Sequence, residues 1–205
     1  MATIVLVHGL WLTPRCWEHW ISRYERQGHR VLAPAYPGLD VEVEALREDP
    51  SPIAALTPQA TLAHLEGVVR ELGRPIVIGH SFGAVLARSL RHVCAATVAL
   101  HALPGLDVGT PGTVTLTPEQ FRYALANTMA AEESARLYAR YVVPAPGRWA
   151  WRTLEGGTLE VCGSEDNLVE PVRGACVIGG RCHLSILQEG WEQVADDVLA
   201  WALAQ

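Results

Sequence analysis

Pro75-Ile76-Val77-Ile78-Gly79-His80-Ser81-Phe82-Gly83 sets the fold class of this chain. The apolar run PIVI passes directly into GHSFG, and the helix-like AVLARSLRH follows, giving strand, sharp turn and helix in succession. A serine in GxSxG at such a turn stands on strained backbone, with glycines on either side because no side chain fits there, and its hydroxyl is pushed out at the carboxyl edge of a sheet. The helix behind it brings the positive end of a dipole beneath any oxyanion that forms. Ser81 is therefore the candidate nucleophile, and the backbone amide of Phe82, the next residue, is one candidate oxyanion donor.

Outward from this string, short β-branched apolar runs recur at Thr3 to Val7, Arg30 to Ala33, Ala96 to Leu100, Thr158 to Val161 and Ala175 to Ile178. Runs without polar alternation read as strands buried on both faces, and helical segments between them predict an α/β architecture with a parallel sheet covered on both sides. The first helix has Thr13 as cap, Pro14 in its first turn, Trp17, Trp20, Ile21 and Tyr24 on one face and Gly28 at its end. Thr57 and Pro58 open a second, with Leu62, Leu65, Val69 and Leu72 inward and Gly73 and Pro75 as its stop. The acidic, proline-containing segment Asp40 to Leu56 reads as a long surface loop. From Thr117 the strand rhythm gives way to a capping-box start at Thr117, Pro118 and Gln120 and to two amphipathic helices, roughly to Asn127 and from Ala131 to Val142. The expected organisation is a single domain, residues 1–205, with 112–155 as a small inserted helical lid.

Composition narrows the function. At 205 residues, 49% hydrophobic and 19% charged, the chain can bury one sizeable core. A net charge of −6 without long like-charge runs gives no footprint for nucleic acid or an anionic membrane. All 16 basic residues are arginine, which excludes lysine Schiff bases, pyridoxal phosphate attachment and a P-loop lysine. Five cysteines without metal-ligand spacing read as free thiols of a reducing cytosol. The apolar start runs straight into His8 and Gly9 with neither a basic region nor a cleavage site, and no run reaches transmembrane length. The expected setting is cytoplasmic, as monomer or homodimer, with a small-molecule substrate as partner.

A serine hydroxyl needs a base within hydrogen-bond reach and a third group to fix that base's tautomer. Of the eight histidines, His183 follows the last predicted strand and precedes the terminal helix, at the same sheet edge as Ser81. His19, His64 and His92 belong to helices and His29 enters a strand, which are structural settings. His8, His80 and His101 lie near the site and read as shaping hydrogen bonds. The acid is expected after the fifth run, where Gly163-Ser164-Glu165-Asp166 supplies Asp166 and the order Ser, Asp, His; Asp107, after the preceding strand, is its rival. A second oxyanion amide should come from His8-Gly9-Leu10-Trp11, with Leu10 preferred and Trp11 the alternative. Trp11, His8, Phe121, Leu125 and Tyr138 are candidate pocket residues.

With HGLW after the first strand, GHSFG at the turn, GSEDNLVEP after the fifth run and GGRCH before the last helix, the chain resembles the α/β-hydrolase superfamily over essentially its whole length, closest to small bacterial members related to esterases and hydroxynitrile lyases. The resemblance implies Ser81, Asp166 and His183 as nucleophile, acid and base, with no metal and no organic cofactor. Two departures stand out. The family usually begins with two further antiparallel strands, whereas here Thr3 to Val7 already leads into the HG motif, so the expected form is the α/β-hydrolase fold reduced to about six parallel strands. Asp166 and His183 are also only 17 positions apart, too close for an ordinary crossover helix between their strands.

The expected reaction is hydrolysis of a carboxylic ester, thioester or lactone of a modest-sized apolar molecule through an acyl-enzyme. Two other expectations share the sequence: the same triad in a cyanohydrin lyase, acyltransferase or biosynthetic cyclase, and a non-catalytic small-molecule binding protein.

Overall fold

Successive residues of a strand face opposite sides of its sheet, so a strand buried at every position must be covered on both. Ile4 to Val7, Ile76 to His80 and Ala96 to Leu100 are all buried in this way in the computed structural model, which describes residues 1–107, 111–151 and 157–205. Strands β1 (Thr3–Val7), β2 (Arg30–Leu32), β3 (Ile76–His80), β4 (Ala96–Leu100), β5 (Leu159–Gly163) and β6 (Cys176–Ile178) form one wholly parallel sheet in the order β6-β5-β4-β3-β1-β2. Every run expected to be a strand is one. The register sets Val7 beside Gly79, Gly79 beside Ala99 and Leu100 beside Val161, so the loops that follow β1, β3, β4 and β5 leave the sheet on one edge.

The helices keep their expected signals. Thr13 caps a 3-10 turn, Pro14–Trp17, that runs into α1 (Glu18–Arg26), burying Trp17, Trp20 and Tyr24. Thr57 accepts from the Ala60 amide at 3.2 Å to start α2 (Pro58–Glu71). Next come α3 (Phe82–Leu90), α4 (Pro118–Ala124), α5 (Ala131–Tyr141) and α6 (Trp191–Leu203). Thr117 and Gln120 close the capping box of α4, which ends at Ala124, before the expected Asn127.

Two expectations need correction. Asp40 to Leu56 is not a loop: it holds short helices at Val43–Glu48 and Ser51–Ala54, because Val43, Leu46 and Ile53 each bury an apolar side chain. The first of these also carries Arg47, whose guanidinium donates to the carbonyls of Val142, Ala139 and Tyr138 at 2.8, 2.9 and 3.1 Å and so satisfies the open end of α5. The insertion after β4 is not purely helical either. Gly105–Asp107 pairs antiparallel with Arg148–Ala150, and Thr113–Val114 with Ala145–Pro146, so two small ribbons gather the chain around α4 and α5. Residues 152–155 of the expected lid lie outside the described residues.

Residues 164–175 join β5 to β6 by turns alone, without a helix, as the short spacing requires. None of the described helices is long and apolar enough to cross a membrane. All five cysteines are free; four are buried and Cys176, on the edge strand, is exposed.

Candidate active site

Ser81 sits between β3 and α3 with φ 57° and ψ −123°, a left-handed conformation that a side chain adopts only under constraint. The constraint is visible: its N–H donates to Leu100 O at 2.8 Å, and its carbonyl accepts from Ala84 N at 3.1 Å and Leu103 N at 3.2 Å. A methyl on Gly79 would strike the Gly83 carbonyl, and one on Gly83 would strike the carbonyls of Val7 and His8. The two flanking glycines are thus required by close backbone approach. Gly9 is under the same pressure, since a Cβ there would stand 2.7 Å from Ser81 Cβ.

Ser81 Oγ donates to His183 Nε2 at 2.9 Å. That leaves Nδ1 as the protonated nitrogen of the neutral ring, and it donates to Asp166 Oδ2 at 2.9 Å and Oδ1 at 3.1 Å. Asp166 leaves the end of β5 in a tight turn in which its Oδ1 also accepts from Leu168 N at 2.8 Å and Val169 N at 3.1 Å. Burial opposes ionisation of this carboxyl, but hydrogen bonds from His101 and His183 outweigh it and hold Asp166 well below the usual carboxylate range. The rival Asp107 lies elsewhere, exposed on its ribbon with Arg148 3.4 Å away.

His101, expected near the site as a residue that shapes hydrogen bonds, is a direct partner of the acid, a pairing the sequence does not specify. Its Nδ1 meets Asp166 Oδ2 at 2.7 Å and its Nε2 meets Ser185 Oγ at 2.7 Å. The only hint in the sequence is its place at the end of a strand on the correct edge. His80 donates Nε2–H to the His183 carbonyl at 2.8 Å, and Trp20 of α1 donates its indole N–H to Ile186 O at 2.9 Å, so the loop that carries His183 is held from both sides. Burial lowers the pKa of His80 and His101, and that of His8 to about 4, which leaves these rings neutral near pH 7. The donor atoms of His101, Cys162 and Asp166 lie within 4.8 Å of one another, the single grouping of that kind among the described residues. The His101 and Asp166 atoms already bond to each other, so the chemistry of the set is that of a hydrogen-bond network.

His8, Gly9, Leu10 and Trp11 line one side of a cavity of about 10 Å³, enough for roughly one water, whose other walls include Tyr36, Ile53, Val143 and Trp149. Leu10, the preferred second oxyanion donor, is therefore on the loop that Gly9 presses against Ser81. Phe121, Leu125 and Tyr138 are not among these walls. Phe121 and Tyr138 pack edge to face at 5.6 Å, and Tyr138 Oη donates to Leu116 O at 2.7 Å, so the two rings join α4 to α5 within the insertion. Leu125 instead accepts from Leu184 N at 2.9 Å through its carbonyl, tying the insertion after β4 to the residue after His183.

Comparison with known proteins bears on the fold that carries this site. The sequence profile of the Alpha/beta hydrolase family matches residues 4–200. A carbendazim hydrolyzing esterase of Nocardioides sp. (strain SG-4G) is 30% identical over 88 residues, which is 42% of this chain and 34% of the esterase; the match spans about a third of that relative. Among solved structures, an extracellular alpha/beta-hydrolase from a Paenibacillus species, described as sharing structural and functional homology with tobacco salicylic acid binding protein 2, superposes with a TM-score of 0.73 at 19% identity, covering 96% of this chain and 97% of that one. A methylesterase from Arabidopsis gives 0.73 at 16% identity, covering 99% and 100%. At these identities the superpositions describe the fold.

Proposed function

The chain belongs to the alpha/beta hydrolase family, and from that premise we propose that it is a serine hydrolase cleaving a carboxylic ester, thioester or lactone of a modest-sized apolar molecule through an acyl-enzyme. The observation that carries the proposal is the unbroken line from Ser81 Oγ to His183 Nε2 at 2.9 Å and from His183 Nδ1 to Asp166 at 2.9 Å. Ser81 attacks the carbonyl carbon while His183 Nε2 takes its proton. Asp166, kept ionised by its donors, stabilises the imidazolium and holds the tautomer that leaves Nε2 free to accept. The amides of Phe82 and Leu10 receive the developing oxyanion, Phe82 with the first turn of α3 behind it. His183 returns the proton to the leaving group, and a water activated by the same nitrogen releases the acyl group.

The apolar lining of the cavity, with Leu39, Ile53, Leu56 and Trp149, suits an apolar substrate. The testing experiment is covalent labelling with a fluorophosphonate probe, with the adduct located by peptide mass spectrometry. A label on Ser81 that Ser81→Ala abolishes is expected; a folded wild type that takes no label overturns the reading.

A further inference from the structure

The carboxylate of Asp166 is shared between two histidines. Its Oδ2 accepts from His101 Nδ1 at 2.7 Å and from His183 Nδ1 at 2.9 Å, and both rings are fully buried beside it. The acyl-transfer chemistry uses only His183. We propose that His101 is a positioning residue that sets the basicity of His183 through the carboxylate they share, an inference that rests on the hydrolase reading for its effect on turnover.

A carboxylate only accepts, so His101 must present Nδ1–H to Asp166, and a neutral ring then offers the Nε2 lone pair to the Ser185 hydroxyl 2.7 Å away. A continuous chain results: Ser185 to His101 to Asp166, and Ser81 to His183 to Asp166. A donor on an ionised carboxylate stabilises that charge by itself and leaves less of it to stabilise a neighbouring imidazolium. His101 therefore keeps His183 less basic than it would be on an undivided carboxylate.

The other groups facing this pair do not replace His101. His80, from β3, lies 5.1 Å from the His183 ring and 5.8 Å from the His101 ring, neutral and donating to the His183 backbone. Cys162 of β5 has its sulfur 3.9 Å from Asp166 Oδ2, and its thiol is pushed up to about 11 by burial first and Asp166 second. The amides of Leu168 and Val169 hold Oδ1 and do not titrate. Glu165 turns its side chain to Ser164, and Cys182 turns to Gln188. His101 also has φ 52°, a conformation that asparagine tolerates better than most residues, and an asparagine amide can keep a donor near the place of Nδ1.

The test is the titration of His183 followed by NMR in histidine-labelled wild type, His101→Phe and His101→Asn, beside fluorophosphonate labelling of each. His183 is expected to titrate roughly half to one unit higher in His101→Phe and within a few tenths of wild type in His101→Asn, with the acid limb of kcat/KM moving in parallel. An unmoved His183 in His101→Phe overturns the proposal, as does an equal shift in both variants. Should His101→Phe fail to fold, wild type still decides: two low-field Nδ1 protons that both vanish in Asp166→Asn support the shared carboxylate, and one such proton overturns it. Both NMR readouts work without turnover. Absence of labelling at Ser81 with the shift intact would therefore count against the hydrolase reading alone.

Discussion

Trp20, in the first turn of α1, donates its indole N–H to the backbone carbonyl of Ile186, three residues beyond the candidate base, at 2.9 Å. The same helix face sends Tyr24 Oη to Ala195 O at 2.7 Å, and Trp17, Trp20 and Tyr24 pack edge to face at 5.1 and 5.7 Å. An aromatic stripe that helical spacing marks as core is thus also the floor under the His183 loop. Trp20→Phe should keep most of the packing but lose the donor. The expected results are a loss of about 1–2 kcal/mol in urea unfolding and a fall in kcat with KM little changed, as the base loosens. A rise in KM with kcat intact would place the effect in substrate binding and contradict this.

Asp166→Asn keeps the shape but cannot stabilise the imidazolium or hold both histidine donors. Turnover should fall by a factor on the order of 10⁴, the size seen when a triad carboxylate becomes an amide elsewhere. Asp107→Asn, exposed beside Arg148, should leave kcat within twofold. Steady-state kinetics of the pair decide between the two positions.

Gly9 and Gly67 should respond to alanine in opposite ways. At Gly9 the new methyl lies 2.7 Å from Ser81 Cβ, so the serine or the loop must move, and a loss of about 10² in kcat is expected. Gly67, in the interior of α2, would have nothing within 4 Å of an added methyl, and Gly67→Ala should add roughly 0.5–1 kcal/mol by helix propensity. Activity and thermal midpoint of both variants check this; an active Gly9→Ala enzyme would sink the first half.

Stability should fall on the acid side of neutrality. Burial takes His8 from 6.5 to about 4 and lowers His80 and His101 as well, so between those values the unfolded chain binds more protons than the folded one. The stabilisation is complete above about pH 6.5 and is lost as pH falls towards 4, on the order of 3 kcal/mol from His8 alone. Asp166, depressed below its usual 3.8, adds its loss only at still lower pH. Urea midpoints at pH 7.5 and 4.5 measure the difference, and equal midpoints would refute it.

Much of this is legible in the sequence because it depends on local grammar. PIVIGHSFG changes period at a glycine, and Thr13, Thr57 and Thr117 each announce a helix that forms. Asp40 to Leu56 reads as a loop because Val43 and Leu46, one helical turn apart, are set among Glu42, Glu44, Glu48 and Asp49, and their burial depends on what the fold brings to them. Phe121 and Tyr138 look like pocket residues in sequence, yet meet each other once α4 and α5 fold together. His101 is legible as a strand-end residue, but its bonds to Asp166 and Ser185 span 65 and 84 positions, which no local pattern encodes.

The helix-free connection between β5 and β6 bears on the order in which the site assembles. Asp166 and His183 close a loop of 17 residues, whereas Ser81 and His183 close one of 102. Loop-closure entropy makes the longer contact costlier by roughly 1.6 kcal/mol in an unfolded chain. Acid and base can thus find each other early in folding as a local unit, and the nucleophile joins them only when the sheet has closed.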